Sequence, residues 1–233
     1  MYLNTLQSFR HEVYACLQRA GDALFEVADA LLTDPSAQSL AELSLAPSFQ
    51  RRWPSLYAAF ADGRIDQQAL SEVFARYLPL PADGERIWLG IDASSIQRPE
   101  SKTARDRSVV YVPNLPQSSK PISYGWQFSA VVLLPQQASS WTYVLDQARI
   151  ASHQSAIEVA ATQLRWLLPH LPSRPIVTTD RRYGCAPFVL ATADLACDKL
   201  LRVKSNRVFY RPAPPKTGKP GAPRKDGERW KSQ

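Results

Sequence analysis

The residues IVTTDRRYG, Ile176–Gly184, change character at their centre. A β-branched run reaches Asp180, and two arginines, a tyrosine and a glycine follow. The first half has the apolar make-up of a short buried strand. An acid closing such a run either starts a turn or presents a functional group at the end of a sheet.

RIWLGID, Arg86–Asp92, has the same form, an apolar run that closes on an acid. GWQFSAVVLLP (Gly125–Pro135) and SSWTYVLD (Ser139–Asp146) read as two further strands. SHQSAIEVAATQLRWLLPHL is helical, with Ile157, Ala160, Ala161, Leu164, Leu167 and Leu168 on one side. Beyond Gly184, APFVLATADLAC reads as a helix and KLLRVKSN as a strand. The order β-β-β-α-β-α-β predicts an α/β fold, a mixed sheet flanked by helices.

Upstream of PLPADGER, the clearest boundary in the chain, the period is helical: Leu6, Phe9, Val13, Leu17, Ala20, Leu24, Val27 and Leu31 recur at three- and four-residue steps. Asp34-Pro35 reads as an N-cap and first helical position, SLYAAFADG closes on Gly63, and DQQALSEVFARYL starts after Asp66. Residues 1–84 are therefore expected to form a small all-α N-terminal domain, and residues 85–210 the α/β domain. Residues 211–233, with five prolines between Arg211 and Pro223, cannot continue a core element and read as an excursion or a tail.

The 45% hydrophobic content of the 233 residues supports a buried core. The net charge is +7, yet Lys199–Gln233 holds eleven basic and two acidic residues, so the rest of the chain is slightly acidic. Positive charge concentrated in this way selects a polyanion, nucleic acid before membrane. Arg202, Lys204, Arg207, Lys216, Lys219, Arg224 and Lys225 are the candidate phosphate contacts. KPGAPRKDG lacks the Arg-Gly-Arg core of minor-groove arms, which leaves non-specific contact. No run approaches the ~18–20 apolar residues of a membrane span, and the start lacks signal-peptide order; a cytoplasmic protein is expected. Cys16, Cys185 and Cys197 form no C-x-x-C, and His11, His153 and His170 are scattered, so neither a disulfide framework nor a zinc site is indicated. Nucleotide-binding glycine motifs are absent.

Asp92 and Asp180 lie 88 residues apart, enough for a meander and a helix to bring the second beside the first. Paired carboxylates repel unless a cation sits between them, and hard oxygen ligands suit Mg²⁺ or Mn²⁺. Two such ions clamp the attacking and leaving oxygens of phosphodiester chemistry. One strand-end aspartate alone would read as a turn former; two, each closing a strand of the right order, point to a metal site.

These blocks resemble the ribonuclease H-like catalytic domain of DDE transposases from bacterial insertion sequences. TDRRYG is similar to the Asp-Arg-x-Tyr-Gly block of the branch whose domain is interrupted by a β-rich insertion. YVPNLPQSSKPISYGWQFS and LLRVKSNRVFY resemble that branch's second-strand region and the strand after the second acid. The resemblance implies a ribonuclease H-like sheet with Asp92 and Asp180 as catalytic metal ligands of a two-ion Mg²⁺ or Mn²⁺ site. It implies metal-dependent cleavage and strand transfer on double-stranded DNA, at transposon ends and target, near the nucleoid, with a homodimer as one possible assembly. It also implies that Arg181 and Arg182 reach phosphates flanking the scissile bond; a solvated surface is the alternative. Tyr183 would pack against the sheet edge or a base, and Gly184 would let the chain turn.

The family's third acid is a glutamate on a late helix. After Asp180 the only acids are Asp194, Asp198, Asp226 and Glu228, none on such an element, and the chain reads as ending within the insertion without it. A truncated copy, weakly active or inactive, is the expectation. The alternatives are a catalytically dead DNA-binding remnant and another ribonuclease H-like nuclease. Arg51, Arg52 and Trp53 would serve a DNA-end-binding module, if the N-terminal helices are more than packing.

Overall fold

The alternation of buried and exposed positions along the strands organises one large mixed sheet. The computed structural model describes residues 2–79, 81, 84–112, 121–215, 222 and 224–230. In chain order the elements begin with α1 Tyr2–Ala15, β1 Leu17–Arg19, α2 Gly21–Thr33, α3 Leu40–Leu43, α4 Trp53–Asp62, β2 Arg64–Ile65 and α5 Gln67–Arg76. The sheet follows with β3 Trp88–Gln97, β4 Ser108–Tyr111, β5 Ile122–Leu133, β6 Tyr143–Ile150, α6 Ala156–Leu167, β7 Ile176–Gly184, α7 Ala186–Ala191 and β8 Asp198–Val203. The short strands β9 Phe209–Tyr210 and β10 Arg229–Trp230 pair with each other.

The strand order is β4-β5-β3-β7-β8, with β6 also on β5. β3 runs antiparallel to β5 and parallel to β7, which runs parallel to β8. This is the expected mixed α/β sheet, with one strand more than the sequence suggests: β4 is four residues long, too short to show a period.

α6 and α7 cover one face. Leu89, Ile91, Val131 and Val177 of the sheet pack there with Ala160, Leu164, Leu167 and Phe188. α6 opens on a capping box in which Ser155 Oγ accepts from the Glu158 N–H and Glu158 accepts from the Ser155 N–H. On the opposite face the segment between β3 and β4 lies over Trp126, and Ile96, Val144 and Leu200 are large and exposed.

The N-terminal region differs from the sequence expectation at two places. The helical period does not run unbroken: Ala20 takes a left-handed φ of 56°, and β1 pairs with β2 between the helices. Asp34 is not an N-cap; it accepts from the Ser36 N–H in a local turn, and Ser39 caps α3 instead. Gly63 and Asp66 terminate α4 and cap α5 as expected. A second apolar cluster of Val27, Ala30, Leu43, Phe49 and Leu56 holds these helices together. α5 reaches the sheet through Tyr143, whose hydroxyl donates to the Phe74 carbonyl at 3.1 Å.

Candidate active site

The parallel register of β3 on β7 pairs Gly90 with Thr178 and Ile91 with Thr179. Asp92 and Asp180 are the next residue on each strand, so they share a face at the point where the ladder ends. Neighbouring strands lie about 4.8 Å apart. Period-two alternation turns both acids away from buried Ile91 and Thr179, and both are exposed. No described cationic side chain forms an ion pair with either. Two adjacent carboxylates without a protein cation are a fitting donor set for a hard divalent ion.

Neither acid ends its strand, contrary to expectation. β3 continues to Gln97 because β5 pairs with it from Asp92↔Ala130 to Gln97↔Gly125. β7 continues through an irregularity to Gly184, which pairs with Val203 of β8. Asp180 stabilises that irregularity: its Oδ1 accepts from the Arg182 N–H at 2.8 Å.

Tyr183 packs against neither the sheet edge nor a base. It is fully buried in the core and meets Phe188 edge-on, with ring centroids 5.3 Å apart. Burial pushes its hydroxyl up to about 12; Ser129 and the Arg182 charge oppose the rise, while Asp92 and Asp180 add to it. Although Ser129 is near enough to oppose the rise, the two hydroxyls do not have hydrogen-bond geometry, and both lack a partner. Gln163, also buried, donates to the Ser129 carbonyl at 3.2 Å and to Asp146 at 2.9 Å.

Gly184 is required for closeness, not for a turn. A Cβ there would stand 2.1 Å from the Arg202 carbonyl oxygen. Gly184→Ala should lower stability by roughly 1–3 kcal/mol, the usual cost of overpacking, as urea titration would report.

Arg181 and Arg182 are exposed beside Asp180, and no described residue bonds their side chains. Since β8 is parallel to β7, Arg202, Lys204 and Arg207 lie at the same end of the sheet as the acids, also exposed. Arg224 and Lys225 are exposed in the segment before β10; Lys216 and Lys219 lie outside the described residues, as does 113–120 of the expected second-strand region. Arg51 is not a free DNA contact, because Asp22 and Glu26 hold it. Among the described residues no group of three His, Cys, Asp or Glu side chains could hold a metal ion. Asp194 is bound to Arg165, and Asp198 to Arg86 and Arg174. Asp198 moreover pairs with Ile176, at the far end of β7 from Asp180.

Residues 12–233 match the family described as DDE superfamily endonuclease. The chain belongs to that family. A cryo-EM structure of a piggyBac transposase synaptic complex with hairpin DNA is similar at a TM-score of 0.45 and 15% identity. The alignment covers 90% of this chain and 45% of that one, so this DDE-superfamily chain spans under half the length of that transposase. No curated protein matches the sequence. No helix among the described residues is long and apolar enough to cross a membrane.

Proposed function

We propose that this chain is a DNA transposase that cuts phosphodiester bonds at the ends of a mobile element and joins the freed 3′-hydroxyl to target DNA. The observation that carries this reading is the placing of Asp92 and Asp180 on neighbouring parallel strands, with no described cation between them. Such a pair suits Mg²⁺ or Mn²⁺. A bound divalent ion supplies Lewis-acid activation of the attacking oxygen and stabilises the leaving one.

The chain's own residues do the rest. Asp92 and Asp180 hold the ion, and the Arg182 N–H orients Asp180. Arg181 and Arg182 grip phosphates beside the scissile bond, and Arg202, Lys204 and Arg207 extend that grip along the same sheet end. Arg224 and Lys225, with Lys216 and Lys219, add sequence-independent attraction. Tyr183 is sealed in the core, so it cannot serve as a covalent nucleophile despite its place three residues after Asp180.

The absence of a three-acid cluster among the described residues favours a second reading, a DNA-binding remnant without catalysis. A plasmid-nicking assay separates the two. The transposase reading expects slow nicking in Mg²⁺ or Mn²⁺ that EDTA abolishes and Asp92→Ala lacks. Salt-sensitive DNA binding that survives loss of both carboxylates, with no nicking, would establish the remnant. Preferential cutting of an RNA·DNA hybrid would make the chain a different ribonuclease H-like nuclease.

A further inference from the structure

The acid-bearing face of the sheet also carries a row of aromatic rings. The β3–β5 register pairs Asp92 with Ala130, Ser94 with Phe128 and Ile96 with Trp126. With a side-chain period of two, Phe128, Trp126 and Tyr124 all stand on the same face as Asp92. At about 3.4 Å per residue, the row begins about 7 Å from Asp92 and ends about 20 Å away. Tyr124 is 49% exposed, and the other two rings are half-buried.

Each of two rings in the row has an arginine over it. The Arg107 guanidinium lies 5.1 Å from the Tyr124 centroid, and that of Arg149 lies 5.5 Å from Trp126. The loop between β3 and β4 closes over the same end of the row and is firmly braced. Trp126 Nε1 donates to the Arg105 carbonyl at 3.1 Å, and Arg149 Nη2 donates to the Asp106 carbonyl at 3.0 Å and carboxylate at 2.8 Å. Asp106 has a left-handed φ of 53° and accepts from the Ser152 N–H at 3.1 Å through its other oxygen. Arg107 donates back to the carbonyls of Arg98 and Pro99. Together these bonds fix the loop against the rings.

The brace leaves cations over. Lys102 and Arg105 are exposed, and their side chains bond no described residue. Arg10, Arg76, Arg86, Arg165 and Arg174, by contrast, each have an acidic partner. Aromatic rings at alternate strand positions, flanked by free cations, are the chemistry that binds unpaired nucleic acid: bases stack on rings while cations follow the phosphates.

We propose that Tyr124, Trp126 and Phe128, with Lys102 and Arg105, form a platform for a single-stranded segment of DNA that continues from the acid pair. This rests on the DNA reading of the acid site and deepens it: the substrate is unpaired on this side of the scissile bond. A duplex would shield its bases from the rings and would contact only the cations.

The test is fluorescence anisotropy with a labelled oligothymidylate and with a duplex of equal length, using the full chain without divalent ion. Tyr124→Ala should weaken single-strand binding by roughly 5- to 150-fold and leave duplex binding nearly unchanged, and Tyr124→Phe should bind as the parent does. Lys102→Ala with Arg105→Ala should reduce the salt slope for the single strand by about 1.4. Far-ultraviolet circular dichroism and urea midpoints matching the parent would exclude misfolding of these exposed-site variants. A parent chain that binds duplex but not the single strand, or a Tyr124→Ala variant that loses both equally, overturns the platform and leaves the DNA reading standing. A parent chain that binds neither overturns the DNA reading itself.

Discussion

Asp92→Asn and Asp180→Asn should each weaken Mn²⁺ binding by at least roughly 10- to 100-fold, because even groups that merely orient metal ligands cost that much when removed. Electron paramagnetic resonance of free Mn²⁺ measures this directly. Any ion-dependent cleavage should fall further, by about 10²–10³-fold, the scale of removing one preorganised charge from a transition state. Thermal stability gives a second readout whose sign depends on the ion. In EDTA, the parent sets two like charges side by side, so each asparagine variant should melt slightly higher. With Mn²⁺ at a hundredfold excess over its dissociation constant for the parent, the parent gains about 2.7 kcal/mol and variants that bind roughly 10- to 100-fold more weakly gain only about 1.4 to 0.4 kcal/mol, so the order of melting temperatures should invert. A shared-ion site demands that crossing. Variants that melt in the same order with and without ion would show that the two carboxylates are neighbours without a common ligand. Ser94→Ala, one alternation further along β3 on the same face, should show no crossing.

The parts of this site that could be read in advance are those governed by local pattern. Ile176–Thr179 and Trp88–Ile91 are apolar, short and followed by acids, and the parallel pairing of β3 with β7 brings the acids together as the intervening length allows. What could not be read depends on partners distant in sequence. Asp92 looks terminal because the continuation of β3 opens with the small and polar residues Ala93, Ser94 and Ser95; only β5 makes it strand. Nothing in the sequence around Ala20 announces a left-handed residue, since alanine is a strong helix former and the break comes from β1 pairing with β2. The aromatic row was hidden for a related reason. Tyr124, Trp126 and Phe128 alternate visibly, but that they share a face with Asp92 follows only from the antiparallel register. Tyr183, expected at the sheet edge or on a base, follows two exposed arginines, yet it keeps the inward parity of buried Val177 and Thr179 and lies in the core.

Tyr183→Ala should lower the unfolding free energy by about 3–5 kcal/mol, the range for truncating a large buried aromatic side chain. The ring is fully buried against Phe188, and its loss opens a cavity directly beneath the strand segment that carries Asp180. Tyr183→Phe isolates the hydroxyl. That group is buried without a partner, so its removal should leave stability at neutral pH unchanged or slightly raised. The two proteins should then diverge in alkali. The folded chain holds the Tyr183 hydroxyl at about 12, against about 10 in the unfolded chain, so its neutral form is favoured by folding. The parent therefore keeps its full stability below about pH 10 and loses it as pH rises through 12, by about 2–3 kcal/mol from this group alone. Tyr183→Phe lacks that loss, and subtracting the two urea-derived stability curves cancels the other tyrosines, which titrate in both proteins. A difference curve that stays flat between pH 9 and about 12.5 would mean that the hydroxyl ionises as readily in the folded chain as in the unfolded one, and that the wall beneath Asp180 is wet.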